Sequence, residues 1–125
     1  MKEKAPFSWQ ARARSFKYAA KGLRALWSEH NTRIHTVCAL LAVIAGALLG
    51  LSPLEWVAII LCIGVVLAAE AINTAIEALA DQISTDTHPL LGRAKDTAAA
   101  AVLILAAAAL LTALIIYLPK LRALL

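Results

Sequence analysis

Three long apolar runs constrain the fold of this chain more than any other feature. They cover residues 37–51, 56 to about 83, and about 94–118. Apolar residues make up 62% of the chain, which excludes an ordinary soluble domain. Since about 20 mostly apolar residues form a helix that crosses the bilayer core, the sequence predicts a single-domain, all-α membrane protein, 1–125. Its transmembrane helices are expected at about residues 34–51, 55–83 and 93–118.

The segment before the first run is predicted to be an amphipathic helix over about residues 7–28. Apolar side chains recur there at helical spacing, and cationic side chains occupy the other face. The apolar face comprises Phe16, Ala19, Ala20, Leu23 and Trp27. Eight of the twelve Lys and Arg residues lie within the first 33 positions, so the net charge of +4 is concentrated where it can meet anionic lipid. We therefore expect a helix on the membrane surface, with the lipid bilayer and not nucleic acid as the partner of these charges.

The charges of the connections predict how the chain crosses the membrane. The second connection, taken as residues 82–96, carries Arg93 and Lys95, whereas residues 50–55 of the first connection include no Lys or Arg. By the positive-inside rule, the N-terminus and the second connection lie in the cytoplasm. The C-terminus then faces outward.

Four polar side chains interrupt the end of the second apolar run. They are Glu70, Asn73, Glu77 and Asp81. Their spacing of three and four residues places them on one narrow stripe of a helix. An ionisable side chain inside a membrane costs at least about 2.5 kcal/mol and marks a functional site by default. With Trp56 at the outer boundary and a rise of about 1.5 Å per residue, the stripe reaches from inside the cytoplasmic leaflet to the cytoplasmic interface.

Three polar residues outside the stripe each have two interpretations. Glu29, at the turn into the first span, is either a solvated or capping residue or a second carboxylate facing the stripe, where a divalent metal would have to offset the repulsion. His35 is favoured as an interface residue over a metal ligand. Lys95 alone is typical of a snorkelling anchor, but opposite carboxylates at the same depth it favours a functional role.

The polar residues at the cytoplasmic interface favour phosphoryl transfer. This reaction needs metal-binding oxygens, a cation near the phosphates and a base for the attacking hydroxyl. The stripe supplies these groups together with Glu29, Lys95 and Asp96. No P-loop, protein-kinase, serine-hydrolase or zinc-protease motif occurs. A membrane oligomer that translocates protons or ions is the alternative from a different class, and it would explain Glu70 alone.

The third apolar run predicts an oligomer. Alanines fill residues 98–101 and 106–109, and small side chains let helix backbones approach closely. Three helices offer few interior positions in which to hide a polar stripe from lipid. We therefore expect the stripe to lie at or near a boundary between subunits.

Two segments of the chain resemble a known family. EAINTAIEALAD at 70–81 and HPLLGRAKDTAAAAVL at 88–103 are similar to the signature of the small prokaryotic integral-membrane diacylglycerol kinases, a family that includes undecaprenol kinases. The similarity extends over residues 16–118. The resemblance implies a homotrimer in the bacterial cytoplasmic (inner) membrane that uses ATP and Mg²⁺ to phosphorylate the hydroxyl of a membrane lipid.

The resemblance also implies roles for individual residues. Glu70 would be the general base, and Asn73 would shape the same catalytic site. Glu29 and Glu77 would hold the magnesium ion that bridges the ATP phosphates, and Lys95 would contact the nucleotide. Further nucleotide contacts at matching positions are Tyr18, Asp86, His88 and Asp96.

The acceptor lipid is divided between two candidates. The stretches SPLEW, NTAIE, HPL and YLPK are similar to undecaprenol kinases, whereas GRAKD is similar to the diacylglycerol branch. Both lipids end in a primary hydroxyl, so the catalytic residues do not separate them. Diacylglycerol, giving phosphatidate, is the first expectation and undecaprenol the second.

Overall fold

The computed structural model describes all 125 residues, and every regular element in it is an α-helix. The helices are α1 (Trp9–Trp27), α2 (His30–Leu49), α3 (Pro53–Ile83) and α4 (Pro89–Leu124). The last three are long and apolar enough to cross a membrane. This confirms the all-α class and the number of membrane-length helices.

The turn between α2 and α3 is fixed by its local sequence. α2 ends at Gly50, whose φ of 73° is a left-handed conformation that glycine adopts without strain. α3 begins with a capping box, in which the Glu55 N–H donates to Ser52 Oγ and the Ser52 N–H donates to Glu55 Oε1. Pro53 occupies the first turn, where its missing N–H leaves no helical bond unmade. Because the turn is so short, α2 and α3 are neighbouring antiparallel helices.

Gly46 lies where α2 meets this turn, and the structure leaves no room there for a side chain. An added Cβ would lie 2.8 Å from Leu51 Cδ1 and 2.9 Å from Trp56 Cη2. We expect Gly46→Ala to lower the free energy of unfolding by about 1–3 kcal/mol, because overpacking displaces both neighbours. Thermal unfolding in detergent measures this change. Gly22→Ala is the matched control, since nothing lies within 4 Å of its added Cβ, and equal losses in both variants would contradict the packing argument.

The connection between α3 and α4 is shorter than the sequence analysis predicted. Only residues 84–88 lie outside the helices. The prediction of a loop over 82–96 is therefore wrong for residues 89–96, which form the start of α4. Pro89 begins α4 at the helix position where proline is favoured. Lys95 and Asp96 therefore belong to a helix, which fixes the directions of their side chains.

α4 also continues past the predicted end at residue 118, with Pro119 inside the helix. Lys120 Nζ lies 3.3 Å from Glu55 Oε1 and donates to the Gly50 carbonyl oxygen at 3.5 Å. These contacts tie the end of α4 to the α2–α3 turn. They offset the helical hydrogen bond that proline cannot make.

α3 is the central helix of the bundle. It packs most extensively against α4 and also contacts α1 and α2. α1 has one buried residue, Leu26, and Arg33 Nε donates to the Trp27 carbonyl at 2.9 Å, which holds the end of α1 against α2. The apolar Phe16 and Leu23 of α1 are 78% and 68% exposed. Many apolar side chains therefore point outward from the bundle. The buried residues lie mainly on α3 and on the sides of the other helices that pack against it.

Candidate active site

The polar stripe of α3 is partly enclosed by the other helices. Glu70 is 2% exposed and Asn73 is 8% exposed, whereas Glu77 is half-buried and Asp81 is exposed. Asn73 Nδ2 donates to Glu77 Oε1 at 3.4 Å, one helical turn along. The stripe therefore runs from a buried carboxylate to an exposed one.

α2 supplies a neighbour for the buried carboxylate. His35 Nε2 lies 3.2 Å from Glu70 Oε1, but the two groups are not aligned as a hydrogen bond, and this enclosed oxygen has no donor. His35, which is expected at the membrane interface, also lies against the stripe. The short turn is the signal that could have found this pair, because His35 lies fifteen residues before Gly50 and Glu70 seventeen residues after Pro53.

The same antiparallel register pairs further levels of α2 and α3. The next level, one helical turn closer to α1, has Thr32 on α2 and Asn73 on α3. Both residues are buried, and Thr32 Oγ1 and Asn73 Oδ1 have no hydrogen-bond partner. One more turn reaches Glu29 and Glu77. Glu29 is six residues from His35, or about 9 Å along α2, and Glu77 is seven residues from Glu70, or about 10.5 Å along α3. Glu29 is exposed at the N-cap of α2, and its carboxylate makes no capping hydrogen bond.

α4 contributes a cation at the exposed end of the stripe. Lys95 Nζ donates to Asp81 Oδ1 at 2.9 Å, and the carboxylates of Glu77 and Asp96 add to the attraction on this ammonium group. Lys95 lies one turn before the buried Ala98, on the side of α4 that packs against α3. Sequence analysis placed Asp81 on the stripe without a role, and the structure pairs it with the predicted nucleotide-binding lysine.

Four of the predicted nucleotide contacts lie outside this arrangement. Tyr18 on α1 is 63% exposed, with Lys21 Nζ 5.7 Å from its ring centroid. Asp86 and His88 lie in the exposed α3–α4 connection. Asp96 lines an open depression of about 480 Å³ at the start of α4. No hydrogen bond joins these four side chains to the stripe within the single chain.

The three helices together form what we call the polar seam. The polar seam consists of Glu29, Thr32 and His35 at α2, Glu70, Asn73, Glu77 and Asp81 on α3, and Lys95 on α4. The His35–Glu70 contact links α2 to α3 at one end, and the Lys95–Asp81 ion pair links α3 to α4 at the other. A buried carboxylate, two more accessible carboxylates and a cation thus follow one another along the bundle.

The donor atoms of the polar seam fit magnesium. They are carboxylate oxygens and the amide oxygen of Asn73, which is buried without a partner. Mg²⁺ prefers oxygen ligands and is typically held by one or two carboxylates together with substrate phosphates. No group of three or more His, Cys, Asp or Glu side chains is placed to hold a metal ion.

Comparisons with known proteins identify the family. A family model described as prokaryotic diacylglycerol kinase matches residues 17–117. The undecaprenol kinase of Bacillus subtilis is 40% identical over 109 residues, which cover 86% of this chain and 89% of that protein. The diacylglycerol kinase of Escherichia coli K12 is 41% identical over 84 residues, 66% of this chain and 69% of that protein. The chain is thus a multi-pass membrane protein, and it belongs to the prokaryotic diacylglycerol kinase family.

Proposed function

We propose that this chain is a lipid kinase that transfers the γ-phosphate of ATP to the primary hydroxyl of a membrane lipid. The observation that carries the proposal is the sequence of groups along the polar seam. Glu70 is buried, Glu29 and Glu77 follow at similar heights by helical rise, and Lys95 binds Asp81 beyond them. A base, a pair of metal-binding carboxylates and a phosphate-binding cation are the parts that phosphoryl transfer requires.

Glu70 is the proposed general base. Its carboxylate accepts the proton of the lipid hydroxyl as the hydroxyl oxygen bonds to the γ-phosphorus and ADP leaves. Asn73 lies between this base and Glu77 and donates to the latter at 3.4 Å, so it holds the spacing of the two carboxylates. Because the transition state is loose, positioning and electrostatic stabilisation supply most of the rate enhancement.

Glu29 and Glu77 are the proposed ligands of the metal. These two carboxylates would hold a magnesium ion, which would supply neutralisation of the charge on the ATP phosphates. Lys95 offsets the same charge from the α4 side, and its ammonium group is already surrounded by carboxylates at the exposed end of the polar seam. The exposed Tyr18, Asp86, His88 and Asp96 stay the proposed contacts of the nucleotide.

The proposal also covers the surroundings of the chain. We infer that the N-terminus and the nucleotide side of the polar seam lie in the cytoplasm of a bacterium and that the spans cross its inner membrane. The exposed apolar face and the cations of α1 support a position on the membrane surface. An apolar groove of about 910 Å³ between α3 and α4 offers a surface to neighbouring subunits, which supports the expected homotrimer.

Two acceptors remain candidates, and different observations favour them. The description of the family favours diacylglycerol, the first expectation from the sequence. The similarity to the B. subtilis undecaprenol kinase extends over more of the chain, 86% against 66%, and favours undecaprenol. Both offer a primary hydroxyl to Glu70, so the proposed chemistry is the same for either lipid.

The deciding experiment supplies the purified protein in detergent–lipid micelles with γ-labelled ATP and one acceptor at a time. Labelled phosphatidate identifies diacylglycerol as the acceptor, and labelled undecaprenyl phosphate identifies undecaprenol. A protein that labels neither lipid, nor any other lipid alcohol offered, would contradict the proposed function. Proton or ion flux in proteoliposomes without ATP would then support the transport alternative.

Glu77→Gln is expected to raise the Mg²⁺ concentration for half-maximal activity by at least about tenfold. The substitution removes one charged ligand, and the loss of supporting groups around a metal site alone costs about 10–100-fold in affinity or activity. A magnesium titration at saturating ATP measures the effect, and Glu29→Gln should behave in the same way. Glu55→Gln, at the other end of α3, is the matched control. Unchanged magnesium dependence in both site variants would remove these residues from the metal site.

A further inference from the structure

We propose that His35 is a positioning residue for Glu70, an inference that rests on the proposed role of Glu70 as the base. The two side chains come from different helices, and His35 Nε2 lies 3.2 Å from Glu70 Oε1. The Glu70 side chain is 3% exposed and the His35 side chain 25% exposed. The imidazole thus stands between the carboxylate and the more open side of the bundle.

Burial makes this neighbour necessary. A carboxylate taken out of water is costly unless a donor or a cation compensates it. Glu70 Oε1 is enclosed and accepts no hydrogen bond, and Lys95, the cation of the polar seam, is paired with Asp81. His35 is therefore the neighbouring group that can compensate the buried carboxylate of Glu70.

An apolar cavity lies beside His35. A cavity of about 360 Å³ lies between α2, α3 and α4, and His35 is the one polar residue among its thirteen lining residues. Its other walls are formed by alanines, aliphatic side chains and the two cysteines. The imidazole marks the boundary where this apolar space ends and the polar seam begins.

The geometry assigns the two oxygens of Glu70 different tasks. Oε1 faces His35, so an N–H donated from Nε2 holds the carboxylate in one orientation and leaves Oε2 for the lipid hydroxyl. The pair is at contact distance without hydrogen-bond alignment, as catalytic groups often are before substrate binds.

His35→Leu removes the N–H and keeps a side chain of similar reach. We expect kcat to fall about 10–100-fold, since a misplaced catalytic group costs up to about 100-fold in rate. KM for ATP should stay within about twofold, because the nucleotide groups lie at the other end of the polar seam. His35→Gln can still donate an N–H and should be several-fold more active than His35→Leu. A loss of packing alone would not separate kcat from KM, nor be relieved by glutamine.

Thr36→Val is the matched control, because it removes the next polar group of α2, whose hydroxyl bonds only to the Thr32 carbonyl of its own helix. It should keep the parent kcat. If His35→Leu does not fold in detergent, His35→Asn, whose shorter side chain does not reach Glu70, replaces it in the comparison with His35→Gln.

Two results would overturn the inference while leaving the proposed function in place. The first is a kcat in His35→Leu equal to that of the parent protein. The second is an equal loss of kcat in His35→Leu and His35→Gln. In both cases Glu70→Gln must be inactive. Turnover that survives in Glu70→Gln would overturn the inference together with the assignment of Glu70 as the base, because there would then be no base for His35 to position.

Discussion

Glu70→Gln is expected to reduce turnover by about 10²–10⁴-fold, the range attributed to general acid–base catalysis. The amide has nearly the same shape as the carboxylate and cannot accept the proton of the lipid hydroxyl. Because Glu70 is buried beside His35 and away from the predicted nucleotide contacts, the affinity for ATP should change little. Turnover is measured with labelled ATP and a saturating acceptor, and nucleotide affinity by equilibrium binding.

Glu55→Gln is the control for this substitution. It makes the same chemical change on the same helix, and glutamine can also serve in the capping box at that position. We expect parent turnover in this variant. A Glu70→Gln protein with turnover near that of the parent would show that another group accepts the proton, and the assignment of the base would be wrong.

Lys95→Met is expected to lower kcat by about 10²–10³-fold, as the loss of one electrostatic contact to a transition state typically does. The methionine keeps the aliphatic stem and removes the ammonium group that offsets charge on the transferred phosphate. Lys120→Met is the matched control, since Lys120 lies on the same helix and also pairs with a carboxylate, 3.3 Å from Glu55 Oε1. It should lower stability without lowering kcat.

The ion pair with Asp81 gives a sharper version of this test. If Lys95 served only to join α4 to α3, the exchanged pair Lys95→Asp/Asp81→Lys would restore whatever the single variants lose. We expect the exchange to preserve thermal stability and to leave kcat low, because the cation then lies on α3 instead of α4. Parent turnover in the exchanged protein would assign Lys95 a structural role only.

The helical elements could be predicted because their signals are local. Apolar length decides which segments can span a bilayer, and the turn at 50–55 contains its own glycine, cap and proline. The end of the loop before α4 was less predictable. The cluster of polar residues up to Asp96 resembles a loop, but Pro89 is compatible with a first helical turn and α3 offers a surface against which the new helix packs.

The site was predictable on one helix and not between helices. The spacing of Glu70, Asn73 and Glu77 follows from helical geometry, and the observed Asn73–Glu77 bond agrees with it. The spacing of residues along α2 or α4 does not indicate which face of either helix meets that stripe. His35 was accordingly assigned to the interface, and Asp81 received no partner.

By itself, the sequence determined three membrane-length helices, the turn that joins the first two, and a polar stripe at the end of α3. Only the tertiary structure decided that His35 meets Glu70 and that Lys95 meets Asp81. The physical reason is that periodicity fixes which side chains share a face of one helix. The height and rotation at which two helices meet depend on packing along their whole length.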